Sequence, residues 1–240
     1  MKTAITDLFG IEFPILAFSH CRDVVAAVTK AGGMGVLGAV AHSPEQLEID
    51  LSWIEDEVGD KPFGVDLIVP AKYAGDEGGG YTLDDIQQLI PDTHREFVDD
   101  ILARYDVPEL PPGDTGTTPT AVSGNDGDAP FSANNAVPQL DIALAHRSAF
   151  IVNALGPPPQ FMIDRVKEEG RLVGALAGRP QHAERHQAAG VDVIIAQGSE
   201  AGGHTGEIGT MVLIPEIVDA VDIPVLGAGG IGRGRQMAAV

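Results

Sequence analysis

The sequence predicts an α/β fold of the (β/α)8 TIM-barrel type, a single domain over residues 1–240. Three features predict it. Short apolar runs rich in β-branched residues alternate with stretches of helical spacing, at a repeat of about 25 to 30 residues, the size of one βα unit. The runs are apolar almost throughout rather than at every second position, which suits parallel strands covered on both faces. Glycine-rich turns follow several of the runs, at the strand ends where such barrels keep their chemistry. With 240 residues and 44% hydrophobic content, the chain is long enough to bury a full core.

In chain order, Pro14–Phe18 is the first strand and Asp23–Lys30 a helix that stops at Ala31-Gly32-Gly33. Gly35–Ala39 is the second strand. Ser43 can cap the next helix, with Pro44 at its first position and an end near Val58. Phe63–Val69 is the third strand. After a long interruption, Ala149–Leu155 is the fourth strand, stopped by Gly156 and three prolines, and Gln160–Glu169 is helical. Leu172–Ala177 is the fifth strand, Gln181–Ala189 a helix, Val191–Ala196 the sixth strand, Ile208–Ala220 a helix and Ile223–Ala228 the seventh strand. Strict alternation implies parallel strands joined by right-handed crossovers.

The interruption, residues 75–147, reads as an insertion between strands three and four. Helices are expected near Leu83–Leu89, over Thr93–Tyr105 and from Val137 to His146. Residues 106–139 are rich in Pro, Gly, Thr, Asn and Asp and are expected to be mobile or disordered, because that composition buries too little apolar surface to offset ordering entropy. Seven strands are one short of closure, and Val240 falls in what the pattern makes the body of the seventh helix. The expectation is a C-terminally incomplete barrel, truncated after the seventh strand. Its open edge would leave unpaired backbone groups or pair with another chain, which leaves a homo-oligomer open.

Thirty-five acidic against fifteen basic residues give a formal charge of −20, which argues against nucleic acid and anionic membrane surfaces as partners. No run is long and apolar enough to span a bilayer, and the N-terminus has no signal-peptide pattern. The single cysteine, Cys21, allows neither an intramolecular disulfide nor a Cys-based zinc site, and fits a reducing, cytoplasmic setting. His182 and His186 stand four apart on one helix, but without the H-E-x-x-H order, so no metal site is assigned.

The chemistry concentrates after the sixth strand. Gln197, Glu200 and His204 follow it in a loop containing Gly198, Gly202, Gly203 and Gly206, where glycine permits positive φ and close approach of a ligand. An imidazole with an ordinary pKa near 6.5 can take a proton close to neutral pH, so His204 is the candidate general base. Glu200 is read as an acceptor that orders the loop or as a solvated carboxylate, and is also a secondary candidate for touching substrate. After the seventh strand, Gly227-Ala228-Gly229-Gly230-Ile231 offers backbone N–H groups and a helix start to a phosphate. Gly227, Gly229 and Gly232 also spell the dinucleotide fingerprint, but only eight residues follow Gly232, too few for its second strand and ribose ligand.

Gln197-Gly198-Ser199-Glu200-Ala201-Gly202-Gly203-His204 resembles the Q-G-x-E-A-G-G-H signature of the nitronate monooxygenases, also called 2-nitropropane dioxygenases. The resemblance implies an FMN-dependent (β/α)8 barrel that oxidises alkyl nitronates with O2 to a carbonyl compound and nitrite. It implies that His204 works beside the flavin and can take an α-proton from a nitroalkane, and that the FMN phosphate sits at Gly227, Gly229 and Gly230. Gln197, Gly202 and Gly203 would line the cofactor. Asp66 stands where the family commonly has a flavin-contacting asparagine, and a carboxylate there would oppose negative charge on reduced flavin unless protonated or paired. His20 lies in a loop bulkier than the family's and could touch substrate or merely pack. Arg179 replaces the usual Thr or Lys after strand five, and either contacts an anion or faces solvent. Two other readings stay open, a related NAD(P)H-quinone or enoyl-thioester reductase, and an inactive or binding-only barrel.

Overall fold

In the computed structural model, which describes residues 2–69, 87–108 and 133–240, seven parallel strands form one sheet in chain order. They are β1 (Leu16–Ser19), β2 (Met34–Gly38), β3 (Gly64–Leu67), β4 (Phe150–Asn153), β5 (Leu172–Ala177), β6 (Val193–Gln197) and β7 (Val225–Ala228). Helices cover one face: α2 (Arg22–Lys30), α3 (Pro44–Val58), α5 (Ala133–Ala145), α6 (Gln160–Glu168), α7 (Pro180–Ala189) and α8 (Thr210–Ala220). Each expected strand is present within two residues at its start, and Ser43 caps α3 by accepting from Gln46 N–H at 3.2 Å. The register places Gly38, Asp66, Val152 and Gly174 side by side across β2 to β5.

The strands alternate between two cores. Leu37, Val65, Leu67, Ile151, Val173, Ala175, Ile194 and Ala196 join the helices in an outer cluster. Met34, Val36, Phe150, Val152 and Val193 form an inner one with Leu172, Leu176, Ile195 and Leu226. Strands β2 and β6 are four places apart, about 19 Å in a flat sheet, so their membership of one inner cluster reports a curled sheet. Phe150 fills its centre because its neighbours are glycines: a Cβ on Gly174 would lie 2.3 Å from Phe150 Cζ. Strands β1 and β7 are the sheet's two edges, and both are only half-buried, whereas β2, β3 and β4 are buried throughout.

One helix escapes the sequence pattern. α1 (Ala4–Phe9) is short, with a reciprocal cap between Thr3 and Thr6 that lacks the usual Glu or Gln. Ile5 and Phe9 of α1, with Ile11, belong to the inner cluster, and Phe9 meets Phe150 edge-on at 5.0 Å between centroids. Met34, Phe150 and Val193 each open their strands, so α1 stoppers the amino-terminal end of the barrel and leaves the carboxyl end as the mouth.

The insertion is partly described. α4 (Asp92–Arg104) matches the expected second helix and buries none of its side chains. The first expected helix falls largely outside the described residues, as does most of 106–139. Its last residues depart from expectation: α5 begins at Ala133 rather than Val137 and carries Pro138 internally. Ala136 is buried there, and Gln139 Nε2 donates to the carbonyls of Ala39 and His42, each at 2.9 Å. Tertiary burial thus outweighs the helix-breaking tendency of the proline. Among the described residues no helix is long and apolar enough to cross a membrane.

Candidate active site

Period-two alternation decides which strand residues reach the mouth. Gln197 follows inward Val193 and Ile195, and Asp66 lies between outward Val65 and Leu67, so both point into the barrel near its carboxyl end. The loop after β6 is held by its own acid. Glu200 Oε2 accepts from Thr210 N–H at 2.7 Å, which caps α8 from outside the helix. The Thr210 hydroxyl lies 2.8 Å from the same oxygen and 2.9 Å from Gly229 O, so its single proton serves either acceptor. Hydrogen bonds from the Thr210 backbone, then its hydroxyl, hold the Glu200 carboxyl below the usual range. Glu200 is therefore a loop-ordering residue. Thr210, which ties the β6 loop to the β7 loop, escaped the sequence analysis because nothing local marks its partners.

The loop glycines serve different ends. Only Gly203, of the four after β6, has positive φ, at +79°. Gly198 and Gly206 are close-packed, since a Cβ would fall 2.2 Å from Thr210 Oγ1 and 2.9 Å from Gly178 O. Around Gly202 and Gly203 a Cβ would meet nothing, so the space over this part of the loop is open. Gln197 Nε2 reaches Gly202 O at 3.4 Å.

His204 and Gln197 border a cavity of about 350 Å³ between the ends of β4, β5 and β6. Arg179, His182, Arg185 and His186 contribute to its wall, and none of its lining residues is acidic. In a chain of formal charge −20, that lining makes the cavity receptive to anions. Burial, then the nearby Arg185 and Arg179, push the His182 pKa down. His186 is also pushed down, chiefly by burial, and its Nε2 lies 3.0 Å from Leu176 O, which makes it a neutral ring donating to that carbonyl. Arg179 pairs with the exposed Glu207 at 3.2 Å while half of its side chain stays in solvent. The two helix histidines, unassigned in sequence, are cavity wall. Among the described residues no group of acids, histidines or cysteines is arranged to hold a metal.

The turn after β7 carries the second feature. Gly229 and Gly230 have φ of +111° and +69°, and neither backbone N–H has an acceptor among the described residues. Two consecutive free N–H groups in a positive-φ turn make an anion-binding concavity. At Gly227 a Cβ would stand 2.5 Å from Ile214 Cδ1, so glycine there lets α8 pack on β7. The helix that follows, α9 (Gly234–Met237), starts four residues beyond Gly230, so the turn rather than a helix terminus carries the two free N–H groups.

On the opposite side of the mouth, His20 sits over Gly38 with Nδ1 3.0 Å from Gly38 O and its ring edge-on to Phe18. It stands on an exposed rim of the mouth. Asp66 is 8% exposed, and its Oδ1 is buried without a hydrogen-bond partner among the described residues. Burial alone pushes its pKa up to about 8. Asn153, by contrast, is fully occupied: Oδ1 accepts from Val69 N–H at 2.8 Å and Nδ2 donates to Leu155 O and Gly156 O. The structure therefore gathers Gln197 and His204 on one cavity, joins Glu200 to the Gly229-Gly230 turn, and leaves Asp66 and His20 on the β1–β3 side.

The chain is 55% identical over 240 residues to a protein of Mycobacterium tuberculosis that bears the provisional name monooxygenase, covering all of this chain and 62% of that one. It is 28% identical over 254 residues to a Staphylococcus saprophyticus protein named as a nitronate monooxygenase, covering all of this chain and 64% of the relative. The chain thus spans under two thirds of the length of these relatives. Among solved structures, nitroalkane oxidase from Streptomyces ansochromogenes superposes with a TM-score of 0.74 at 28% identity, over 99% of this chain and 63% of that one. FabK from Thermotoga maritima does so with a TM-score of 0.68 at 28% identity, over 100% and 58%. The nitronate monooxygenase family model matches residues 2–240, and the chain belongs to that family of oxidoreductases.

Proposed function

We propose that this barrel holds FMN and oxidises alkyl nitronates with O2 to a carbonyl compound and nitrite. The observation that carries the reading is the acid-free cavity beside His204 and Gln197, whose arginines suit a substrate that is itself an anion. The residues present also fit the cofactor. The free N–H groups of Gly229 and Gly230 would hold the phosphate, and the inward Gln197 and Asp66 offer polar edges to the ring system. FMN, when bound, supplies electron transfer to O2. The chain's own part is to bind, orient and deprotonate. Arg179 and Arg185 draw the nitro or nitronate oxygens, and His204 accepts the α-proton when the substrate arrives as the neutral nitroalkane. Thr210 and Glu200 keep the two loops in register.

The test is flavin uptake followed by turnover. The protein should take up added FMN and then consume O2 with a nitronate while leaving NAD(P)H unoxidised. Oxidation of NAD(P)H in preference to nitronate would move the reading to a flavin reductase, and failure to bind FMN would refute the flavin site altogether.

A further inference from the structure

We propose that His182 is the proton-linked member of an anion site in the cavity beside His204: an oxyanion that settles against Arg179 and Arg185 is taken up together with a proton on His182. Nitronate and nitrite, the anionic substrate and product, would both bind in this way. That these are the anions rests on the function proposed above; the proton linkage does not.

Local geometry brings the three side chains together. Arg179 stands at the start of α7, and His182 and Arg185 follow at intervals of three, the spacing that makes neighbours along one edge of a helix. All three line the cavity, whose wall carries no carboxylate among the described residues. Arg185 is oriented by its Nε, which donates to Gln181 O at 2.9 Å, and it makes no ion pair among the described residues. Arg179 has one carboxylate partner, the exposed Glu207, and a pair so open to water yields readily to a competing anion. Nitronate and nitrite present two oxygens in a plane, the shape a guanidinium fork recognises.

Nothing around His182 offsets the arginines while the cavity is empty. Burial, then Arg185, then Arg179 hold its pKa below the ordinary 6.5. The loop after β4 brings residues 154–157 to the wall, none of them ionisable, and β5 has no ionisable residue. The β6 loop brings His204, and Glu207 beyond it is turned to Arg179. α8, packed on α7, carries Glu216 and Asp219, both exposed and outside the wall, as is Glu184 of α7 itself. His186 gives its Nε2–H to Leu176 O, and its Nδ1 is sealed from solvent. A bound oxyanion reverses this balance, because it screens both guanidinium charges and sets an opposite charge near the ring, which favours imidazolium. The proton-linked part of the affinity is therefore fully present below the free His182 value and is lost as pH rises through the higher value of the complex. A fixed third cation would hold the anionic product at every pH, whereas a titrating one lets it go as pH rises.

Calorimetric titration of the 240-residue chain with nitrite, in two buffers of different ionisation enthalpy, counts the protons taken up. Wild type near neutral pH should take up at most about one proton per nitrite, and its affinity should fall severalfold between about pH 6 and about pH 8, within a limit of about tenfold per pH unit. His182→Gln should take up no such proton and should keep the weaker, high-pH affinity of the wild type throughout. His204→Asn should retain the wild-type uptake, which separates the two cavity histidines. His182→Lys, charged across the range, should bind nitrite with neither uptake nor pH dependence, and it serves in place of His182→Gln if that variant does not fold. No nitrite binding, binding without proton uptake, or uptake that survives loss of His182 each overturns the proposal. Proton-linked nitrite binding in a chain that oxidises no nitronate leaves the anion site standing and sinks the nitronate reading. Nitronate oxidation without proton-linked nitrite binding does the reverse.

Discussion

The turn at Gly230 allows charge, strain and folding to be separated in one series. Its φ is +69° and a Cβ would stand 3.1 Å from Glu200 Cβ. Alanine in the left-handed region costs roughly 1–2 kcal/mol, and at about 1.4 kcal/mol per tenfold this lowers FMN affinity roughly 5- to 30-fold if the unliganded turn relaxes to another φ. Asparagine tolerates that φ better, so Gly230→Asn should lose less than Gly230→Ala. Aspartate has nearly the shape of asparagine, so the step from Gly230→Asn to Gly230→Asp isolates the charge. Two unit charges 4 Å apart repel by about 1 kcal/mol under full water screening and about 4 kcal/mol near a protein surface, which makes aspartate the weakest binder by about 5-fold or more. Fluorescence titration with FMN and with riboflavin reads the series, and riboflavin, which has no phosphate, should be nearly indifferent to it. If riboflavin loses affinity in step with FMN, the turn is needed for folding and does not hold a phosphate.

Replacing His204 with asparagine should lower turnover of a neutral nitroalkane far more than turnover of the preformed nitronate, which has no proton to give up; equal losses in kcat/KM on both would remove the base assignment. Gly174→Ala should destabilise the barrel by about 1–3 kcal/mol through overpacking against Phe150, and Phe150→Leu should recover part of that loss in the double variant, as chemical denaturation would show. Asp66→Asn should raise thermal stability. An acid whose folded pKa is raised keeps its full contribution below its unfolded pKa near 3.9 and loses it as pH rises through the folded value of about 8, so the gain should be larger at pH 8 than at pH 4. Glu200 runs the other way, because its folded pKa is lowered by Thr210. The link between the two loops should persist above the ordinary carboxylate range and fail as pH falls through the lowered value, seen as loss of amide protection at Thr210 that Glu200→Gln reproduces at neutral pH.

The sequence by itself determined the strand and helix order, the cap at Ser43, the parallel sheet and the loop that carries Gln197 and His204. These follow from patterns a few residues long, where apolar runs, glycine stops and capping residues act on their own neighbourhood. Only the tertiary structure decided what those residues face. α1 is too short to show a period, and becomes a stopper because Phe9 finds Phe150 some 140 residues later. Gly227 and Gly230 look alike in sequence, yet one makes room for Ile214 and the other turns the chain at positive φ. Glu200 reads equally as a loop-ordering acceptor or a solvated acid until Thr210, ten residues on, is folded back against it. Asp66 is marked in sequence by its position alone, and only β2 and β4 closing on either side leave its Oδ1 buried without a donor among the described residues. A side chain's burial and protonation are properties of its neighbours in space, and the curling of the sheet is what assigns those neighbours.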